Sequence, residues 1–253
     1  MKQDRKSLER RAGPSACRAY GTERSGDWAA VLVAVAFLLL APCRSAVAAE
    51  PDPQDLLKVA RLASTQQEAV VSGRLRHGAD ATPFTLTVDF GRMRFAFENP
   101  SRVYEVRLDE ESSGVFDAKG RPLQRGMREP VAEGTRVTIE DLSLGFLYWP
   151  DARLLGKQTV RTRPAWKIEL RPGKRGSEFA IVRVWLDEAS GALLRIEGFD
   201  WQGHLSRRFE VVSGQRIDGR WMLKQMRIES FAPDNALRPL QRSYLEILGK
   251  EGA

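Results

Sequence analysis

EFAIVRVWLDEASGALLRIEGFDWQGHLSRRFEVVSGQRIDGRWMLKQMRIESF, residues 178–231, decides the fold. It reads as four β-strands in succession, each ended by a turn. Asp187-Glu-Ala-Ser-Gly191 is a short loop with glycine at its end, where a positive φ is needed. Asp200-Trp-Gln-Gly203 repeats the device, and Asp218-Gly219 is the strongest short hairpin signal. Loops this short force sequential antiparallel pairing, so the stretch is a meander. In its first strand Ala180, Val182, Val184 and Leu186 share one face; Phe179, Ile181 and Trp185 share the other, broken by Arg183. A strand apolar on both faces is covered on both sides or borders a cavity. The next strands are one-sided: Leu194 and Ile196 oppose Arg195 and Glu197, while Leu205, Phe209 and Val211 oppose Arg208 and Glu210. The expectation is a sheet wet on one face, with an apolar concave region near Trp185. Ordinary core packing is the plainer account of that region.

Working outward, strands dominate. Ala69–Arg76 begins the sheet. Phe84–Phe90 and Met93–Glu98 form a hairpin around Gly91-Arg92, with Phe84, Leu86, Val88 and Phe90 on one face and Met93, Phe95 and Phe97 on the partner's. Arg102–Leu108 follows and runs into a polar turn at 109–114. Val115–Arg136 is rich in glycine and proline and reads as a long irregular connection, of the length that often serves as a lid or binding loop. Asp141 can cap a short helix carrying Leu142, Leu144, Phe146 and Leu147, ended by Tyr148-Trp149-Pro150. Arg153–Thr162 and Ala165–Arg171 make a further hairpin, and Arg242–Leu248 a last strand that closes an edge. Before the sheet, Leu56, Val59, Ala60 and Ala63 recur at helical spacing, so one amphipathic helix over 55–67 is expected to lie on it.

The chain has 253 residues and a formal charge of +7. Residues 1–49 carry +4 of that charge, leaving +3 on the remainder, too balanced for a nucleic-acid partner. Trp28–Ala41 is continuously apolar but short for a bilayer span. A basic segment precedes it and Ser45-Ala-Val-Ala-Ala49 follows, so residues 1–49 read as a signal peptide cleaved after Ala48 or Ala49. Periplasmic export follows from that reading, with an uncleaved membrane anchor as the alternative. Residues 50–253 then form a single domain, expected as a monomer. Both cysteines, Cys17 and Cys43, fall in the leader, so disulfides and thiolate metal sites are not expected in the rest.

Three pieces carry a family resemblance: Leu147-Tyr-Trp149 after the short helix, Val184-Trp-Leu-Asp187 with its Ser-Gly turn, and Asp218-Gly-Arg-Trp-Met222. Together with their flanks they resemble the outer-membrane lipoprotein-sorting family, of LolA/LolB-like fold, over the second half of the chain. The resemblance implies a mainly β protein: a strongly curved antiparallel sheet, an incomplete β-barrel, with helices covering its open side. It also implies a cavity that accepts the acyl chains of lipoproteins or other lipids. Phe146, Tyr148, Trp149, Trp166 and Trp185 are the candidates for its walls, each also explicable as core. A regulatory module of the RseB type, contacting a membrane-protein partner, is the alternative. Trp201, in a hairpin loop, is expected to be exposed.

Catalysis finds little support. His77 and His204 are the two histidines, and both sit in turns. No nucleophile elbow, phosphate loop, zinc helix motif or dinucleotide fingerprint is present, and no cofactor is implied. A pair of catalytic carboxylates would leave no local signature. Asp109-Glu110-Glu111 could hold a cation weakly but reads better as a solvated turn.

Overall fold

The computed structural model describes residues 50–65, 68–109, 112–123 and 127–250. Residues 1–49, where a leader and its cleavage site are expected, lie outside them. Two antiparallel meanders share one sheet. The first runs β1 (Glu68–His77), β2 (Asp80–Asp89), β3 (Arg92–Phe97), β4 (Arg102–Leu108) and β5 (Ser113–Asp117). The second runs β6 (Asp151–Val160), β7 (Arg163–Arg171), β8 (Ile181–Asp187), β9 (Leu193–Phe199), β10 (Leu205–Ile217), β11 (Arg220–Ser230) and β12 (Gln241–Lys250). The strand order is β5-β4-β3-β2-β1-β12-β11-β10-β9-β8-β7-β6. The sheet is not closed: β5 and β6 are its two edges. The chain must therefore carry residues 118–150 from one edge to the other, and a 3-10 helix in that connection, Gly145–Tyr148, packs against both β5 and β7. The two ends of the sheet thus curl toward each other, and the connection lies across the gap.

Strand alternation sorts the two faces. Ile168, Val184, Ile196, Phe209 and Ile228 form one rung across five neighbouring strands. All five are at most 2% exposed. At about 1.5–3 kcal/mol for each fully buried side chain, that rung alone contributes on the order of 10 kcal/mol before chain entropy is counted. In the other wing, Phe84, Phe95, Phe97 and Tyr104 form an aromatic cluster, with the Phe84 and Phe97 ring centroids 5.4 Å apart. One residue along from the apolar rung, Glu169, Arg183, Glu197, Arg208, Glu229 and Arg242 make a rung of alternating charge on the opposite face. Arg183–Glu169, Arg208–Glu197 and Arg242–Glu229 close at 3.0, 2.9 and 2.9 Å. Beside them Glu210 meets Arg161 and Arg195, each at 2.9 Å. Burial opposes the Glu210 charge, but these arginines outweigh it and hold the carboxyl below its ordinary range.

Several expectations are corrected. Trp185 lies on the charged face, not the concave one. It is buried there against Val160 and Ala165, and its indole N–H donates to Gln158 Oε1 at 2.9 Å. The register shift at Trp185/Leu186 moves Leu194 into the same small cluster, away from Ile196. Phe179 precedes β8, where alternation has not begun, and joins the inner core with Val182 and Val184. Its ring fills the space above Gly198, where a Cβ would stand 2.6 Å from it. Phe90 leaves its strand face because it sits in the β2–β3 turn at φ 33, and is 67% exposed. Ser113–Asp117 is an edge strand rather than part of an irregular connection. β12 is no edge; it pairs with both β1 and β11 at the centre. The amphipathic helix, α1, spans Pro53–Thr65 and buries Leu57 and Ala60. Gly191 has the positive φ that its turn requires, 68°.

Candidate functional site

The connection across the gap is built from a capped helix. Thr138, not Asp141, is the N-cap of α2 (Ile139–Ser143). Thr138 Oγ1 accepts from the Asp141 N–H at 3.2 Å, and Asp141 Oδ2 accepts from the Thr138 N–H at 2.9 Å. Leu144, at φ 53, ends α2 and turns the chain into the 3-10 helix; Trp149 is extended, and Pro150 forbids further helix. This plug is tied to the sheet by polar groups. Arg207 sits on β10 at an inward position, in register with Phe209, and is buried. Its Nε lies 3.5 Å from Asp141 Oδ2, and its Nη2 3.6 Å from Glu178 and 3.2 Å from the Arg136 carbonyl. Burial pushes the Asp141 carboxyl up to about 6, with Arg207 pulling the other way. Glu140 accepts from Ser177 Oγ at 2.5 Å, and burial raises its carboxyl too. From the other side, Arg61 of α1 donates Nε and Nη2 to the Leu147 carbonyl at 2.9 and 2.6 Å.

Under this plug is a half-open cavity of about 590 Å³. Val106, Val115 and Phe116 of β4 and β5 form one wall; Leu123 and Met127 follow from the connection. Phe146, Tyr148 and Trp149 come from the 3-10 helix and its end, and Phe179 lies at the foot of β8. Polar atoms come from Ser112, Ser113, Glu140, Ser143, Lys174 and Ser177. The Tyr148 hydroxyl is buried with no hydrogen-bond partner among the described residues, and burial raises its pKa.

A sequence-family profile described as "Uncharacterized protein" matches residues 120–237. No curated protein matches the sequence. Solved structures do match. A LolA superfamily protein from Nitrosomonas europaea is 15% identical at a TM-score of 0.58, covering 78% of this chain and 92% of that one. A DUF1329 family protein from Desulfovibrio piger is 18% identical at 0.57, covering 78% and 92%. A domain assigned as an outer membrane lipoprotein-sorting protein from Vibrio parahaemolyticus is 16% identical at 0.56, covering 78% and 91%. The chain has the LolA-like fold.

Within this LolA-like half-barrel the structure brings together three of the five wall candidates. Phe146, Tyr148 and Trp149 line the cavity. Trp166 shares the inner register with Leu186 but stands away from the cavity, with Lys157 Nζ 4.4 Å from its ring. Trp185 is on the other face of the sheet. The sequence reading did not single out Val106, Val115, Phe116, Leu123, Met127 or Lys174, and it placed Phe179 on the face of Trp185. One signal was present: Arg207 stands in line with Leu205 and Phe209, and a charge at an inward position marks the place where something polar is held. Trp201 is 39% exposed and donates to the Ser177 carbonyl at 3.1 Å, pinning the loop that carries Lys174. Neither histidine is in the cavity: His77 Nδ1 lies 3.1 Å from the Arg242 carbonyl, and His204 pairs with Asp200 within its own turn. Among the described residues no group of three or more histidine, cysteine or acidic side chains could hold a metal ion. Asp109 accepts from Ser112 in its turn, while Glu110 and Glu111 lie outside the described residues. No helix of the described residues is long and apolar enough to cross a membrane.

Proposed function

We propose that the protein is an exported binding protein that shields an acyl chain, of a lipoprotein or a lipid, inside the half-barrel. The cavity carries the proposal. Its volume, about 590 Å³, falls in the range of roughly 300–1,000 Å³ typical of ligand sites. Its walls are mainly hydrocarbon and aromatic, and a chain of about sixteen carbons buried there would gain roughly 0.8 kcal/mol per methylene. The cover is not itself a strand of the sheet: buried apolar side chains, Ile139, Leu142, Phe146 and Leu147, hold it together with a few polar contacts. The apolar run and small-residue segment of the leader support export to the periplasm, with residues 50–253 acting as one monomeric domain.

The test is lipid retention and uptake. Protein extracted from membranes is examined by mass spectrometry for co-purified lipid, and binding of a fluorescent fatty acid is measured on the purified protein. Lipid in the preparation and saturable uptake are expected. Trp149→Asp, in the cavity wall, loses uptake; Trp185→Asp, on the opposite face, keeps it in the folded fraction. Consistently empty protein with no uptake overturns the proposal. A stable protein partner captured without lipid replaces it with the regulatory reading.

A further inference from the structure

Resting on that acyl-binding reading, we infer that the cargo is an amphiphile with an anionic head, an acyl chain in the cavity and the head at Lys174. If a methylene occupies about what a water does in the liquid, about 30 Å³, a sixteen-carbon chain needs roughly 480 Å³, which the cavity accommodates.

Charge at the mouth selects the head. Lys174 lines the cavity, is exposed, and has no ion-pair or hydrogen-bond partner among the described residues. Two further cations border its loop: Arg128 donates to the Gly176 carbonyl at 3.2 Å, and Arg175 stacks 4.7 Å over Trp201. The nearby carboxylates are already engaged: Asp109, whose charge reaches Tyr148, accepts from the Ser112 N–H and hydroxyl. Glu140 is held by Ser177 and the Glu178 N–H, and burial disfavours its charge. Glu178 faces Arg207 and Ser206. An incoming anion therefore meets uncompensated positive charge, and a cation does not.

The experiment is displacement of a fluorescent fatty acid from the full-length protein. Competitors are palmitate, palmitoyl lysophosphatidate, 1-hexadecanol and hexadecyltrimethylammonium; the wild type is compared with Lys174→Glu. Palmitate and the lysophosphatidate compete, and their ranking says whether carboxylate or phosphate is preferred. Hexadecanol is about fivefold weaker, the size of one exposed ion pair, and Lys174→Glu removes that difference. A preference for the cation, or an unchanged preference in Lys174→Glu, overturns the inference while leaving an acyl carrier standing. Failure of every competitor and of the probe overturns the acyl reading itself.

Discussion

Phe179 and Gly198 offer a direct test of how the cavity floor is built. Phe179 is 1% exposed, and its ring occupies the space in which a Cβ on Gly198 would stand, 2.6 Å from Cδ1 and Cε1. Phe179→Ala is expected to cost about 3–5 kcal/mol, or roughly 10 °C in Tm at about 2–4 °C per kcal/mol for a chain of this size. Gly198→Ala alone has two opposed effects. Alanine in a strand interior gains about 0.5–1 kcal/mol over glycine, but overpacking the ring costs about 1–3 kcal/mol. The net is destabilising, because the ring is wedged against the inner face of β9. With the ring already gone, the clash vanishes and only the gain is left, so Gly198→Ala stabilises the Phe179→Ala protein. The coupling is about 1–3 kcal/mol, well beyond the additivity limit of roughly 0.5 kcal/mol for independent sites. Urea unfolding of the four proteins measures it. Additive effects, or destabilisation by Gly198→Ala in both backgrounds, would show that the ring is not seated on Gly198.

Two further outcomes concern the plug. Asp141 titrates near 6 in the fold against an ordinary 3.8. An acid raised on folding adds stability below about 3.8 and loses it as pH rises to about 6, here by about 3 kcal/mol. Glu169, Glu210 and Glu246 are held low, so their contribution runs the other way, present above the ordinary carboxylate range and lost as pH falls below it. Asp141→Asn is expected to abolish the decline between about pH 4 and 6 and keep the acid loss; unfolding curves that superimpose on wild type across that window would refute the assignment. Arg61→Ala removes two charged hydrogen bonds to Leu147, worth about 2 kcal/mol together. Amide exchange at 146–149 should then quicken about thirtyfold, and equal loss of protection in the central strands would show that the plug does not open separately.

The second meander was legible because its turns carry their own chemistry. Asp-Gly and the Ser-Gly loop leave few alternatives, and the alternation of Val182, Val184 and Leu186 fixes the inner face. Trp185 misled because a strand apolar on both sides does not say which side is concave; only the partner strands, with Val160 and Ala165 beneath the indole, decide that. β5 was hidden by its length, five residues among glycines, and by pairing through one neighbour alone. β12 was read as an edge because nothing local announces a partner about 170 residues away. Phe146, Tyr148 and Trp149 were found from the motif at the end of the plug. Leu123 and Met127 could not be, since they come from a stretch without periodicity and reach the cavity only because the sheet's two edges must be joined.

The pairing of β1 with β12 has a further consequence. The sheet's first and last strands in chain order lie side by side at its middle, Arg74 opposite Glu246. Each wing can zip up from its own hairpins, but the seam between them waits for β12. Without it, β1 and β11 each present a bare backbone edge. The contact between the two wings is therefore the most non-local one in the sheet, and the last to form.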